Sequence, residues 1–357
     1  MAPPPSGLGR GERAPDFVLP LQDGTPTRFY ARAGGTPAVL LFCPGDQTPQ
    51  LLHFATTLGH MAALPLAIFA VQHGRPDTAL QAPFPVFSDA QGTVTAAYRL
   101  GPTGAATCVV LSPNLQVLTT LPVHDVAVTA HQVLSTLATD LPPIAPREIH
   151  TQAPVLLIPR VLTPDLCHTL IHVWETRGHV DTGVEHSHNR QRQNRLHPSQ
   201  KSRQDHIVSD PQLLRLLTTT VGRRILSEVH KAFAFQATRF EGFKIACYAA
   251  AGGFFHAHRD NLSPSTAHRR FALTLNLNED YDGGHLRFPE YGPHLYRPKA
   301  GDAVVFACAH LHEVTRVTQG RRFTLLSFLF GDADVRAAVP GAATSSQPSE
   351  WRISTRP

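Results

Sequence analysis

Two stretches of the chain carry residue types able to do chemistry at spacings that let them act together. The first runs from Cys247 to Asn261, and within it His258-x-Asp260 sets an imidazole and a carboxylate at i and i+2. On a strand those side chains leave the same face, so one metal ion could sit between them. Alone the triplet says little, because a chain with 21 His produces such pairs by chance. The second stretch runs from Gly301 to Arg322 and adds His312 after an apolar run, with Arg322 ten positions further on. Two imidazoles and one carboxylate on one side of a metal leave its opposite positions open to small ligands. An arginine on that open side can grip a dicarboxylate through its two-pronged fork. His256 and His310 lie two residues before these histidines and would share their strand faces. Spacing selects the later pair: only His258 makes His-x-Asp, and only His312 stands ten residues before Arg322. Arg321 should point the other way, to solvent or a structural ion pair. A metal-free barrel whose His and Asp merely satisfy each other is the rival reading these residues leave open.

The elements that must position these groups are short and mostly extended. Apolar runs at 243–248, 271–277, 286–288, 303–306 and 323–330 are separated by Gly-rich or polar turns, which predicts a closed or double-sheet β architecture such as a jelly roll. Ahead of them come a strand at 155–158 and a helix opening on Thr163-Pro164, an N-cap followed by a proline at the first helical position. A second helix is expected over 210–234. Between the helices, 185–205 is polar and carries Arg190, Arg192, Arg195, Lys201 and Arg203. It reads as a solvated loop, with a lid over an anionic substrate as the sharper alternative. Nucleic acid is disfavoured because aromatics for base stacking are absent there.

With His258-x-Asp260, His312 and Arg322 in place and Gly283-Gly284-x-Leu-Arg-Phe288-Pro289 between them, residues 154–331 resemble the Fe(II)/2-oxoglutarate dioxygenases of the prolyl 4-hydroxylase-like branch. The resemblance implies a double-stranded β-helix with flanking helices. It implies Fe(II) held by His258, Asp260 and His312, with 2-oxoglutarate as co-substrate and its distal carboxylate paired with Arg322. Tyr248, ten residues before the first ligand, matches a family tyrosine lining that pocket; the residues alone leave it equally a core tyrosine. Many relatives carry a tyrosine just before the Leu-Asn pair where this chain has Asn276, so the hydroxyl partner of the co-substrate falls to Thr274 or Thr324. Such enzymes consume O₂, release succinate and CO₂, are supported by L-ascorbate, and hydroxylate a C–H bond. A prolyl or other side chain of a protein is the substrate class the resemblance brings with it.

The first part of the chain alternates apolar runs at 38–42, 66–71 and 108–111 with helical patterns at 51–62, at 79 or 94–98, and at 126–138, predicting a sheet covered by helices. Gly11 to Leu19, Val39 to Pro49 and Phe87 to Gly92 resemble the peroxiredoxin branch of the thioredoxin fold, an α/β/α sandwich, over 11–137. Family members place a nucleophilic cysteine just after the Thr-Pro pair, at a helix start that lowers its pKa. Here Gln50 or Leu51 stands there, so peroxidase activity should be absent and the domain reads as a scaffold or recruitment module. A thiol peroxidase using Cys43 and a non-catalytic binding protein with a vestigial jelly roll are the alternative functions.

Composition agrees with two soluble domains. The 357 residues are 42% hydrophobic and 17% charged, with no run of like charge that would mark a disordered tail. Residues 1–147 carry 7 basic and 8 acidic side chains and the remainder 25 and 19, while 16 of the 21 His fall in the second part. The expected organisation is a free N-terminus (1–10), a thioredoxin-like domain (11–140), a Pro-rich linker (141–150), a dioxygenase domain (151–333) and a weakly ordered tail (334–357). Five scattered cysteines, no apolar leader and no stretch approaching 18 apolar residues predict a cytoplasmic protein without a membrane span.

Overall fold

The computed structural model describes residues 7–44, 48–61, 65–73, 82–101, 106–188, 191–195, 197–250, 252–337 and 351–352. The chain divides into two compact units between Pro146 and Arg147.

In the first unit a five-stranded sheet runs in the order Val86–Asp89, Ala67–His73, Ala38–Pro44, Thr107–Leu111, Val117–Pro122. The first three strands are parallel and the last two antiparallel. The central strand, AVLLFCP, is apolar on both faces because helices cover both. Val39, Leu41 and Cys43 pack with Phe54, Leu58, Val133 and Leu137 of the helices Thr48–Met61 and Val126–Asp140. Ala38, Leu40 and Phe42 meet Phe29, Phe87, Val94 and Tyr98 on the other side. This is the thioredoxin-like sandwich anticipated above. Gln50 and Leu51 lie in the first turn of the Thr48–Met61 helix, where a nucleophilic cysteine would sit. Cys43 is 3% exposed, inside an apolar cluster. Cys108 is fully buried, and burial pushes its thiol well above the usual range. Cys43 shares that apolar cluster, the setting of a structural thiol, which disfavours a peroxidase centred on it.

The second unit is built from two antiparallel sheets. The larger contains, in order, Val155–Ile158, Ala303–Ala307, Phe271–Asn276, Val317–Phe330, Lys244–Ala249, Gln204–Ile207 and Val180–Asp181. The smaller contains Lys201–Ser202, Phe254–His258, His312–Val314, Leu286–Arg287 and Leu295–Tyr296. Alternation along the strands of the large sheet gives it two buried faces. Ile245, Cys247, Leu273, Leu275, Phe323 and Leu325 point outward onto the helices Pro164–Thr176 and Pro211–Phe233. Tyr248, Ala272, Val304 and Phe306 point inward and join Leu286, Phe288 and Val314 of the small sheet. The two helices start where the sequence places them: Thr163 Oγ1 accepts from Leu166 N, and Asp210 Oδ1 from Gln212 N and Leu213 N. The result is the jelly roll with flanking helices.

Three expectations need correction. The 185–205 segment is not a loop throughout: it contains the hairpin Val184–His188/Gln191–Arg195 and then contributes a strand to each sheet, with Lys201 and Asp205 buried. The strands Lys201–Ser202 and Gln204–Ile207 are hidden in the sequence because the side chains they bury are charged rather than apolar. Arg190 and the side chains of Arg192 and Arg195 lie outside the described residues. The first four residues of the expected tail, 334–337, belong to the helix Asp332–Ala337, tied down by buried Asp334, which accepts from Arg270 Nε and Gly331 N, while 338–350 and 353–357 lie outside the described residues. Finally, the Phe254–His258 strand stops at His258, so Asp260 reaches the site from a turn and not from a strand face.

Candidate metal centre

His258 and His312 face each other as a register pair on adjacent strands of the small sheet. The turn after His258 brings Asp260 back beneath them, fixed by a 3.0 Å bond from its N–H to the carbonyl of Cys308. Asp260 Oδ1 lies 3.5 Å from His258 Nε2, and Oδ2 lies 3.3 Å from His312 Nε2. Among the described residues these three form the one group of His, Cys, Asp or Glu whose ligand atoms converge, all within 4.8 Å.

Hydrogen bonding on the far side of each ring fixes its protonation. His258 Nδ1 is 2.8 Å from the carbonyl oxygen of His256, and His312 Nδ1 is 3.0 Å from that of His310. A carbonyl only accepts, so both Nδ1 atoms carry a hydrogen, and it is the Nε2 atom of each ring that faces Asp260. Burial pulls His312 down to about 4, against the pull of Asp260 in the other direction, so the ring is neutral at physiological pH. Burial works to raise the Asp260 carboxyl, but the neighbouring imidazoles and Arg269 outweigh it and hold the group well below the usual carboxylate range. Two imidazole Nε2 atoms and one carboxylate on one side form the donor set of a hard-to-borderline divalent metal with open positions, so the residues fit an iron ion.

Arg322 and Thr324 lie two residues apart on the inner face of the long strand, 2% and 0% exposed. Arg322 Nε and Thr324 Oγ1 are buried polar atoms without a hydrogen-bond partner. Leaving such groups unpaired costs on the order of 1–3 kcal/mol each, which points to a ligand that satisfies them. The register sets Tyr248 beside Arg322 and Ala246 beside Thr324 on one neighbouring strand, and Asn276 beside Thr324 on the other. Arg322 Cζ lies 5.5 Å from the Tyr248 ring centroid. Gly284 explains the Gly-Gly pair in part: its φ is +59°, and a Cβ there would come within 2.9 Å of Arg322 Cδ. Gly253 has a similar role in the turn before the His258 strand, where a Cβ would meet Tyr248 Cα at 2.7 Å.

Asn276 is fully committed elsewhere. Its Nδ2 donates to the carbonyls of Asn278 and Pro298, and its Oδ1 accepts from Tyr281 Oη at 3.2 Å. Thr274 shares the inner face but is only partly buried. Of the two threonines weighed for a hydroxyl, Thr324 is the one whose oxygen is fully buried without a hydrogen-bond partner.

Sequence reasoning missed Arg203. Its Nε and Nη2 grip both oxygens of Asp205 at 2.7 and 2.6 Å, and its Nη1 donates to Tyr248 Oη at 3.3 Å. Burial disfavours its charge, but Asp205 outweighs that and keeps the guanidinium protonated. The i, i+2 pattern Arg203-x-Asp205 was the available signal. Because arginine only donates, Tyr248 Oη accepts from it and retains its own hydrogen to offer to a ligand. Phe255 completes the wall: its ring stacks on His258 at 3.5 Å, and Arg203 lies 6.0 Å from it. A line of contacts therefore runs from Arg322 through Tyr248, Arg203 and Phe255 to His258. Phe306, 4.6 Å from the His312 ring, closes the apolar side. Arg321 faces away and pairs with Glu175 at 2.8 Å. A separate cavity of about 840 Å³, between residues 147–152 and 294–299, contains none of these groups.

Residues 243–330 match the model of the 2OG-Fe(II) oxygenase superfamily, and residues 10–119 that of the AhpC/TSA family. A PKHD-type hydroxylase of Caulobacter vibrioides is 40% identical over 92 residues, covering 22% of this chain and 40% of that protein. A PKHD-type hydroxylase of Hyphomonas neptunium is 46% identical over 63 residues, covering 17% and 27%. The chain thus spans less than half the length of these relatives. Among solved structures, a prolyl-4-hydroxylase of Pseudomonas putida aligns with a TM-score of 0.39 at 20% identity, covering 50% of this chain and 94% of that one.

Proposed function

We propose that this chain, whose second unit is a 2OG-Fe(II) oxygenase domain and whose first is an AhpC/TSA domain of thioredoxin fold, is an Fe(II)- and 2-oxoglutarate-dependent hydroxylase. The observation that carries the reading is the pair of unbonded buried atoms, Arg322 Nε and Thr324 Oγ1, on the inner face of the large sheet, which packs against the small sheet that bears the two histidines of the triad. His258, Asp260 and His312 would hold the metal. When bound, iron supplies the O₂ activation that couples oxidation of 2-oxoglutarate to succinate and CO₂ with hydroxylation of a substrate C–H bond.

The chain's own residues bind, orient and exclude water. Arg322 and Thr324 take the distal carboxylate of 2-oxoglutarate through charge-assisted hydrogen bonds. Tyr248 donates its hydroxyl hydrogen to the co-substrate while Arg203 holds its oxygen. Phe288, Phe306 and Val304 keep the inner wall dry, which strengthens each of these contacts. Ascorbate fits as the reductant that restores Fe(II). The substrate class we put forward is a prolyl or other side chain of a protein, in keeping with the hydroxylase relatives. A cytoplasmic location fits the buried, unlinked cysteines, and no described helix is long and apolar enough to cross a membrane.

The test is anaerobic addition of Fe(II) and 2-oxoglutarate, followed by absorbance and then by succinate release once O₂ and ascorbate are admitted. A visible charge-transfer band and slow succinate formation are expected. Both should vanish in Asp260→Ala and His312→Ala; unchanged iron affinity in both variants would refute the assignment.

A further inference from the structure

The triad is assembled from two segments, 258–260 and 309–312, and its geometry depends on how these are held against each other. Glu290, in the short turn Pro289–Tyr291, bonds to both. Its two oxygens accept from Arg259 Nη2 at 2.6 Å and Nη1 at 3.2 Å, and Arg259 stands between His258 and Asp260. The same carboxylate accepts from the backbone N–H of Leu311 at 2.9 Å, the residue before His312. Arg259 in turn donates to the carbonyl of Ala309. The next residue of the turn, Tyr291, holds the His310 ring through a 3.2 Å bond to Nδ1, and the carbonyl of His310 is the acceptor that orients His312.

We infer that Glu290 is a positioning residue for the metal site, a clamp that joins the His258-x-Asp260 segment to the His312 segment. The inference rests on the reading of the triad as a metal centre. Glu290 touches no ligand atom; it acts through Arg259 and Leu311. At side-chain exposures of 37% and 31%, the Glu290–Arg259 pair contributes little to overall stability. Its effect falls on ligand geometry, where partners beyond the ligands change metal affinity strongly.

The experiment uses the full chain with Mn(II) alone as the probe, titrated against the signal of the free ion without co-substrate, alongside thermal melting of the metal-free protein. Glu290→Ala should weaken Mn(II) binding by roughly 10–100-fold while the metal-free melting curve barely moves. Glu290→Gln should fall between, since its amide oxygen still accepts from Leu311 but no longer pairs with Arg259 at both oxygens. Arg259→Ala combined with Glu290→Ala should cost no more than the larger single effect. If Glu290→Ala fails to fold, Glu290→Gln and Arg259→Lys decide the matter. Mn(II) affinity within about twofold of the parent in the clamp variants, with binding lost in Asp260→Ala, would overturn the clamp alone. Retained binding in Asp260→Ala would overturn the triad reading and the clamp with it.

Discussion

The inner-face residues differ sharply in what their loss should do. Arg322→Ala removes a charged donor that has no other bonding partner at Nε, so KM for 2-oxoglutarate should rise roughly 10–100-fold, the equivalent of a lost charged hydrogen bond. Thr324→Val keeps the shape and loses one hydrogen bond from an uncharged donor to the carboxylate, and a rise of about tenfold is expected in the same steady-state assay. Asn276→Ala should behave differently. Three of its bonds serve the fold, so the variant should lose about 1–3 kcal/mol of stability in urea unfolding, with KM moving far less than in Arg322→Ala. His258-x-Asp260, His312 and Arg322 could be picked out in the sequence by their spacings of two and ten residues, although Asp260 comes from a turn and not from the strand face that the spacing suggests; the two threonines followed from the family resemblance. The choice between Thr274 and Thr324 was not legible. It depends on which hydroxyl ends fully buried without a partner once the neighbouring strands have been paired.

At the scale of the elements, the strand Gln204–Ile207 supports the site through a buried ion pair. Burial acts to raise the Asp205 carboxyl, and Arg203 more than reverses this, so its folded-state value lies below the ordinary 3.8. A carboxyl lowered by folding contributes stability that is fully present above its ordinary value and is lost as pH falls through the lowered one. Melting temperature in the parent should therefore drop steeply below about pH 4, and Asp205→Asn should flatten that acid limb. The variant should also be less stable at neutral pH by about 3–5 kcal/mol, because Arg203 is left buried without its partner. On the other face of the large sheet, Leu217 of the Pro211–Phe233 helix is fully buried. Leu217→Ala should cost about 2–5 kcal/mol in denaturant unfolding yet leave Mn(II) affinity intact in the surviving folded protein. Helices and apolar strands were readable because caps and period-two alternation are local signals. The strand Gln204–Ile207 escaped because its buried inward group, Asp205, is charged, and the Glu290 clamp because it joins positions 31 and 21 residues apart that no local pattern connects.

For the molecule as a whole, the two units differ in what a metal can do for them. Metal binding adds stability only to the part that forms the site, so saturating Mn(II) at about 100 times Kd should contribute about 2.7 kcal/mol to the second unit's unfolding and none to the first's. Calorimetry with and without Mn(II) should show one transition moving and the other still. Peroxide consumption should be absent in the parent and unchanged by Cys43→Ser, since that thiol is part of an apolar core. The carbonyls of His256 and His310 that orient the two imidazoles have a consequence for how this gene tolerates change. Every amino acid supplies a main-chain carbonyl, so the partner that orients His258 survives a missense codon at position 256, whereas a change at position 310 also loses the ring contact to Tyr291. Codons 258, 260 and 312 have no such latitude, and a saturation library scored for metal binding should show a tolerant and an intolerant position two residues apart, at 256 and 258.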